Sequence, residues 1–454
     1  MKLRLGWLVA LSLGAVGSTA AFAESHACDL TEAWDDSMAM CMPKAAGAMS
    51  NSAMYDMMTS PDGCGPDGYF HFGMAMCLEK PRVLGRFSGM LMGNLFLAAD
   101  AEQGSRGKTA FVAPNWLMAN LGVNLASWNR LELDIMLTAE RWTIPENGYP
   151  LLFQIGESNA QGQPFIDAQH PHSSPLMGLV LTDVISFSQL RTRLLRLWFA
   201  PRGESTDGPI AMMHRPTGTV NPDAPLGHHV GQDVGHVTST VIGASLYIGK
   251  TLLEASAFHG KEPSPTKVDL PIGVPDSVSV RLVQQFRKNV MASASFAYVT
   301  DPEGDPTIPH EFRISASAYT QWNLPRGWRA HTTSIWGGIT RYDHADFLNS
   351  FTFEGLFSDE SNAIWSRLEV LQRTPAELNI VSSAPNVGEW IGAVTLGYTR
   401  KLFSLWAFDF SLGGSGSIGF VPPSFSSAYG GQAIVSGKLF LEARLMKMFA
   451  AGKR

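Results

Sequence analysis

The sequence predicts an all-β protein, a transmembrane antiparallel barrel of about 16 strands (about 12 at the fewest), preceded by a short Cys/Met-rich periplasmic segment. Three observations predict it. The chain opens with an export signal. It carries only 16% charged residues beside 44 glycines. Apolar–polar alternation with a period of two recurs from Arg86 almost to the C-terminus.

Lys2 and Arg4 give a positive start, Trp7 to Ala21 is apolar and rich in small residues, and Ala21-Phe22-Ala23 forms an A-x-A cleavage site. Residues 1–23 are therefore read as a signal peptide, with the mature chain starting at Glu24. Ser25-His26-Ala27 lacks the aliphatic residue that would make Cys28 a lipidated cysteine. Losing Lys2 and Arg4 leaves 32 basic residues against 40 acidic ones, which takes the formal charge from −6 to −8. A mildly acidic chain without basic clusters is a poor nucleic-acid ligand. Beyond the signal no apolar run approaches the roughly 18 residues of a membrane helix. An exported, charge-poor, glycine-rich chain of this kind fits a Gram-negative outer-membrane barrel, with membrane lipid and the barrel-assembly machinery as its partners.

Residues 24–82 differ in chemistry. Cys28 and Cys41 have the same separation as Cys64 and Cys77. Both second cysteines end one tetrapeptide, Met38-Ala39-Met40-Cys41 and Met74-Ala75-Met76-Cys77, an internal duplication with a period of 36 residues. Four cysteines allow three pairings. The repeated spacing favours Cys28–Cys41 and Cys64–Cys77, each closing a small loop worth about 3 kcal/mol, and export makes oxidation expected. Met38, Met40, Met42, Met49, Met54, Met57, Met58, Met74 and Met76 crowd the same segment. Thioether sulfur suits Cu(I) and remains a ligand where cysteines are oxidised, with His71 and His26 able to join. The competing reading is an adaptable apolar linker or plug.

Residues 83–454 carry the barrel. The predicted strands are 87–98, 109–120, 129–140, 176–187, 190–200, 233–246, 250–259, 277–287, 289–299, 311–322, 328–340, 349–357, 362–373, 389–402, 404–420 and 430–446. Val278, Val280 and Leu282 oppose Ser279 and Arg281, and Leu439 and Leu441 oppose Lys438 and Glu442. In a soluble sandwich the apolar face points inward; in a membrane barrel it faces lipid. The connections decide. From the fourth strand on they alternate between short (188–189, 247–249, 288, 323–327, 358–361, 403) and long (201–232, 260–276, 300–310, 341–348, 374–388, 421–429). Tight periplasmic turns and long outer loops produce that alternation. The connection 121–128 is an exception, longer than the pattern allows. Trp128, Trp322, Trp328, Trp390 and Tyr398, near strand ends, suit interfacial girdles. Phe449 is followed by five further residues, so the chain does not end on an aromatic as such barrels often do.

Six of the twelve histidines fall between Ile166 and His236, five of them on two of the longest loops. His170-Pro171-His172 sets two imidazoles on a stiff segment. His214, His228, His229 and His236, with Asp233, supply more imidazoles and a carboxylate. Neutral imidazole with carboxylate suits Zn, Cu(II), Fe or Ni, although no zinc-motif spacing is present. The competing use is structural, in a long loop folded inward to narrow the pore. Asn221-Pro222-Asp223 and Pro225-Leu226-Gly227 supply the successive turns such a loop needs. With the N-terminus periplasmic both loops lie on the outer side, where they could meet over or inside the pore mouth.

Catalysis is not expected. No glycine-framed serine elbow occurs, and Tyr319-Thr320-Gln321, which resembles a fragment of outer-membrane phospholipases, lacks the accompanying histidine–serine motif. GYPLLFQIGES (Gly148–Ser158), FIDAQHPH (Phe165–His172) and MHRPTGTVNPDAPLGHH (Met213–His229) together resemble a group of bacterial outer-membrane barrel proteins to which no reaction is attached. The resemblance spans the barrel region and implies that fold. In that group an acid usually follows HPH, where this chain has Ser173, and the acid after the histidine pair stands one residue nearer than Asp233. The expected function is porin-like passage across the outer membrane, linked to copper or another transition metal. The alternatives are a non-transporting metal-binding or structural membrane protein, and a barrel lipid hydrolase.

Overall fold

A computed structural model describes residues 86–451, apart from 160, 189–192, 288, 303–308 and 342–346, together with the backbone of four short strands between residues 32 and 79. Those four form two antiparallel pairs, Glu32–Asp35 with Met40–Pro43 and Gly68–His71 with Met76–Glu79. The second pair repeats the first at an offset of 36 residues, the period of the sequence duplication. The signal peptide, the two expected disulfides and the side chains of His71 and the methionines of residues 24–82 lie outside the described residues.

Sixteen strands close into one antiparallel barrel. In chain order they are β1 (Phe87–Glu102), β2 in two pieces (Thr109–Val112 and Asn115–Ala126) and β3 (Asn129–Leu137). β4 (Tyr149–Ser158) and β5 (Pro164–Gln169) pair only with each other and stand apart from the wall. The wall resumes with β6 (Leu176–Ser186), β7 (Arg193–Gly203), β8 (Thr238–Ile248), β9 (Thr251–His259), β10 (Ser277–Arg287) and β11 (Val290–Thr300). It ends with β12 (His310–Asn323), β13 (Arg329–Arg341), β14 (Phe347–Ser358), β15 (Asn362–Arg373), β16 (Glu389–Leu405), β17 (Phe408–Phe420) and β18 (Ala433–Ala451). β18 closes onto β1 through sixteen facing pairs, from Ser436–Glu102 to Ala451–Phe87. Proline has no N–H to give to a ladder, and β2 is interrupted at Ala113-Pro114.

The burial is inverted relative to a soluble sheet. On β10, Ser277, Ser279 and Arg281 are buried while Val278, Val280 and Leu282 are each about half exposed. On β18, Lys438, Glu442 and Arg444 are buried, whereas Leu439 and Leu441 are exposed. An apolar exterior around a charged interior is stable in a lipid layer and not in water, so this is a membrane-spanning barrel of the outer-membrane type. No helix among the described residues is long and apolar enough to cross a membrane. Both barrel ends of the chain, Phe87 and Ala451, sit on the side of the short turns, which is the periplasmic side.

Every predicted barrel segment is a strand, in the predicted order. Beyond shifts of a few residues at strand ends, such as the turn expected at 403 that falls after Leu405, three details differ. The irregular connection 121–128 vanishes because β2 continues to Ala126 and turns within two residues into β3. The connection 141–175, read as loop, holds the β4–β5 hairpin. Residues 233–237, read as the start of a strand, belong to the preceding loop, and β8 begins at Thr238.

The lipid-facing assignment makes a direct prediction. Val280→Arg, a cation near the middle of an outward face, costs about 2–4 kcal/mol, read as a lower unfolding midpoint in liposomes, while Val280→Leu leaves that midpoint unchanged.

Candidate functional site

Two inserts fill the lumen. The longer, residues 204–237 between β7 and β8, folds inward and bonds to wall strands around much of the circumference. The Thr206 hydroxyl pairs with Ser256 on β9 and Ser279 on β10. Gly208 N–H donates to Ser295 Oγ on β11 and Ile210 N–H to the Tyr319 hydroxyl on β12. Leu226 N–H donates to Glu369 on β15 at 2.6 Å. At Gly231, in the left-handed region at φ 70°, the loop backbone lies so close to β13 that a Cβ would come within 2.5 Å of Gly338 N.

Arg215 anchors this loop. It is fully buried and donates to both oxygens of Asp233 at 2.9 and 3.0 Å. It also bonds both oxygens of Glu354 on β14 at 3.1 Å. Glu354 accepts further bonds from Thr217 and from Arg367. Lys438 ties Asp223 of the loop to Asp100 on β1. Buried charges survive only when paired and hydrogen-bonded, and these are.

The shorter insert is the β4–β5 hairpin, whose Asp167 bonds Arg106, the Tyr429 hydroxyl and Phe153 N–H. Its chain continues through His170-Pro171-His172, and the two inserts meet there. His170, His172, His228, His229 and His236 form one cluster, in which His170, His228 and His229 are buried and His172 and His236 partly so. Ring centroids lie 5.6 Å apart for His170–His229, 4.6 Å for His228–His229, 4.8 Å for His228–His236 and 5.4 Å for His172–His236. Ligand atoms of His170, His228 and His229 all fall within 4.8 Å of one another. Gly156 on β4, at φ 143°, makes room for His229, whose ring would stand 2.3 Å from a Cβ there.

The hydrogen bonds around this cluster fix two tautomers. His172 Nδ1 lies 2.8 Å from Glu140 Oε2, and a carboxylate accepts, so the nitrogen carries the proton. His236 Nδ1 lies 2.6 Å from the Asp233 carbonyl oxygen and donates for the same reason. Their Nε2 atoms face each other at 3.2 Å, a contact that one proton or one cation between them would satisfy. Burial, and then the neighbouring imidazoles, holds His228 well below the usual histidine range. Burial, followed by His172, takes His170 down to about 4 and His236 to about 3. His170, His228 and His236 are therefore neutral near pH 7, the form that binds metal. His170 Nε2 and His228 Nδ1 are buried without a hydrogen-bond partner among the described residues.

Not every candidate joins. Asp233 lends its carbonyl oxygen to His236 while its carboxylate is taken by Arg215. His214 packs edge-on against Trp116 at 6.0 Å and lines a lumen cavity of about 700 Å³ shared with His236. Glu140, on the connection between β3 and β4, went unnoticed in the sequence, and its position next to Arg141 and Trp142 gave no signal. Tyr319 holds the long loop, at Ile210.

No protein-family model matches the sequence, and no curated protein does. Among solved structures, the chain is similar to the anion-selective porin from Comamonas acidovorans, with a TM-score of 0.47 and 10% identity over 79% of this chain and 98% of that one. OmpF from Salmonella typhi, solved with daunomycin, gives 0.47 and 7% over 78% and 97%. The DcaP channel of Acinetobacter baumannii gives 0.44 and 8% over 80% and 96%. The barrel assignment stands on the strand pairing itself, independently of these likenesses.

The anchor can be tested on its own. Arg215→Ala leaves Asp233 facing Glu354 without their shared cation and is expected to cost about 3–5 kcal/mol, measured by denaturant unfolding, with the long loop becoming cleavable by protease in the folded barrel.

Proposed function

We propose that this porin-like outer-membrane barrel is a channel whose two lumen inserts are pinned to each other by a transition-metal ion held in the histidine cluster. One observation carries the reading. His172 and His236 turn their Nε2 atoms toward each other at 3.2 Å, an arrangement that needs either a proton on one ring or a metal ion between the two. Two nitrogens bound to a tetrahedral ion at about 2.0–2.1 Å would stand about 3.3 Å apart. Their other nitrogens donate to Glu140 and to the Asp233 carbonyl oxygen, the outer-shell pattern of metal-bound imidazole. His170, His228 and His229 complete the donor set. All-nitrogen ligation suits Zn, Cu, Ni or Fe.

The metal joins His228, His229 and His236 of the long loop to His170 and His172 beside the hairpin, so it fixes the width of the passage. The passage itself is polar. A cavity of about 590 Å³ between the inserts and β1, β15 and β18 is lined by Asp100, Glu102, Asp223, Arg367 and Lys438 among others.

Planar-bilayer recordings of the purified full-length protein test both parts. The protein is expected to conduct, zinc to lower the conductance by holding the inserts together, and EDTA to restore it. Glu140→Gln lowers zinc affinity by about 10–100-fold, read by titration calorimetry, and raises the half-blocking zinc concentration by the same factor. No current from folded protein overturns the channel and leaves a non-transporting metal-binding protein. Current indifferent to zinc and EDTA overturns the metal.

A further inference from the structure

The inner wall carries a feature that a water-filled lumen does not need. Met446 on β18 faces Met92 on β1, Met92 faces Met118 on β2, and Met118 faces Met136 on β3. On β6, at a register shift beside Gly178, the partner of Met136, stands Met177. All five side chains are buried in the lumen, each at most 7% exposed. They belong to one packed cluster with Met90 and with Met213 of the long loop. Facing positions on neighbouring strands put Cβ atoms about 5 Å apart, within reach of flexible thioethers that turn toward a shared point.

The row also has a direction. It starts near the periplasmic ends of β18 and β1 and climbs, through β2, to the outer ends of β3 and β6. At its top, Met177 and Met213 line a cavity of about 710 Å³ with His170, His172, His228 and His236. At its foot the barrel joins residues 24–82, where nine further methionines lie in the sequence.

We propose that the methionine row of Met446, Met92, Met118, Met136 and Met177 is a binding track for a soft monovalent cation, Cu(I), running along the lumen wall between the histidine cluster and the periplasmic mouth. The inference rests on the metal reading of the histidine cluster only for its upper end; the row itself is carried by the strand register. Thioether sulfur selects Cu(I), and imidazole also accepts copper. The ion can therefore keep one oxidation state along the whole length, and no electron transfer is required. Three or four adjacent thioethers offer it successive, similar sites, so that it is held without being trapped.

The row also seats Ala211, Met213 and Val237 of the long loop, and leucine would serve that purpose as well as methionine. The test exploits this difference. Full-length protein in detergent, labelled with ¹³C at the methionine methyls, is titrated with Ag(I), a redox-inert counterpart of Cu(I), and separately with Zn(II). Single Met→Leu variants assign the signals. Silver is expected to shift the methyl signals of Met92, Met118 and Met136. The triple variant M92L/M118L/M136L, still heat-modifiable in gels, should bind fewer silver ions per chain than wild type by mass spectrometry. Zinc should leave those methyls in place and bind the triple variant as it binds wild type. Silver that shifts only methionines of residues 24–82, or equal silver on the triple variant, overturns the track. Loss of zinc binding with the silver response intact would instead sink the histidine site and leave the row standing.

Discussion

In a hydrocarbon layer no water is available to pair a backbone N–H or C=O, and each one left unpaired costs several kcal/mol. The sixteen-strand sheet is stable there because β18 pairs along its length with β1 and leaves no edge. Closure sets the rest of the chemistry. It sends Val280, Leu282, Leu439 and Leu441 toward lipid, and it gathers Arg281, Arg367, Glu369, Lys438 and Glu442 into one lumen. Those charges then need partners, and much of what they pair with is chain folded inward from the two inserts.

The inserts are therefore part of the electrostatic balance of the barrel. Arg215 satisfies Glu354 on the wall and Asp233 within the loop together. Holding Asp233 in place aims its carbonyl oxygen at His236, so the same contact that anchors the loop also sets a tautomer in the histidine cluster. The wall, the anchor and the cluster form one chain of causes, from backbone pairing to the orientation of a single ring nitrogen.

Much of this was legible in the sequence. Period-two alternation located the barrel strands, and the alternation of short and long connections separated a membrane barrel from a sandwich. The one apparent violation, at 121–128, arose because Leu121 to Ala126 has weak polar–apolar contrast, so the strand seemed to end early. The β4–β5 hairpin was missed for a related reason. Tyr149 to Ile155 is nearly all apolar, and an element packed between lumen and loop has no clean two-sided pattern. The meeting of His170 and His172 with His228 and His229 followed from topology. The fate of Asp233 did not, because its partner Arg215 is eighteen residues away and nothing in the spacing couples them. The methionine row is invisible in one dimension. Positions 92, 118, 136, 177 and 446 become neighbours only through strand register and barrel closure.

The central claim is that a metal ion joins the two inserts inside the lumen, and the most direct measurement is anomalous diffraction at the zinc edge from crystals grown with zinc. The account predicts a peak within about 2.1 Å of nitrogens from at least three of His170, His172, His228, His229 and His236, with Glu140 still bonded to His172. Zinc found only on the protein surface, with His172 and His236 turned apart, would contradict it.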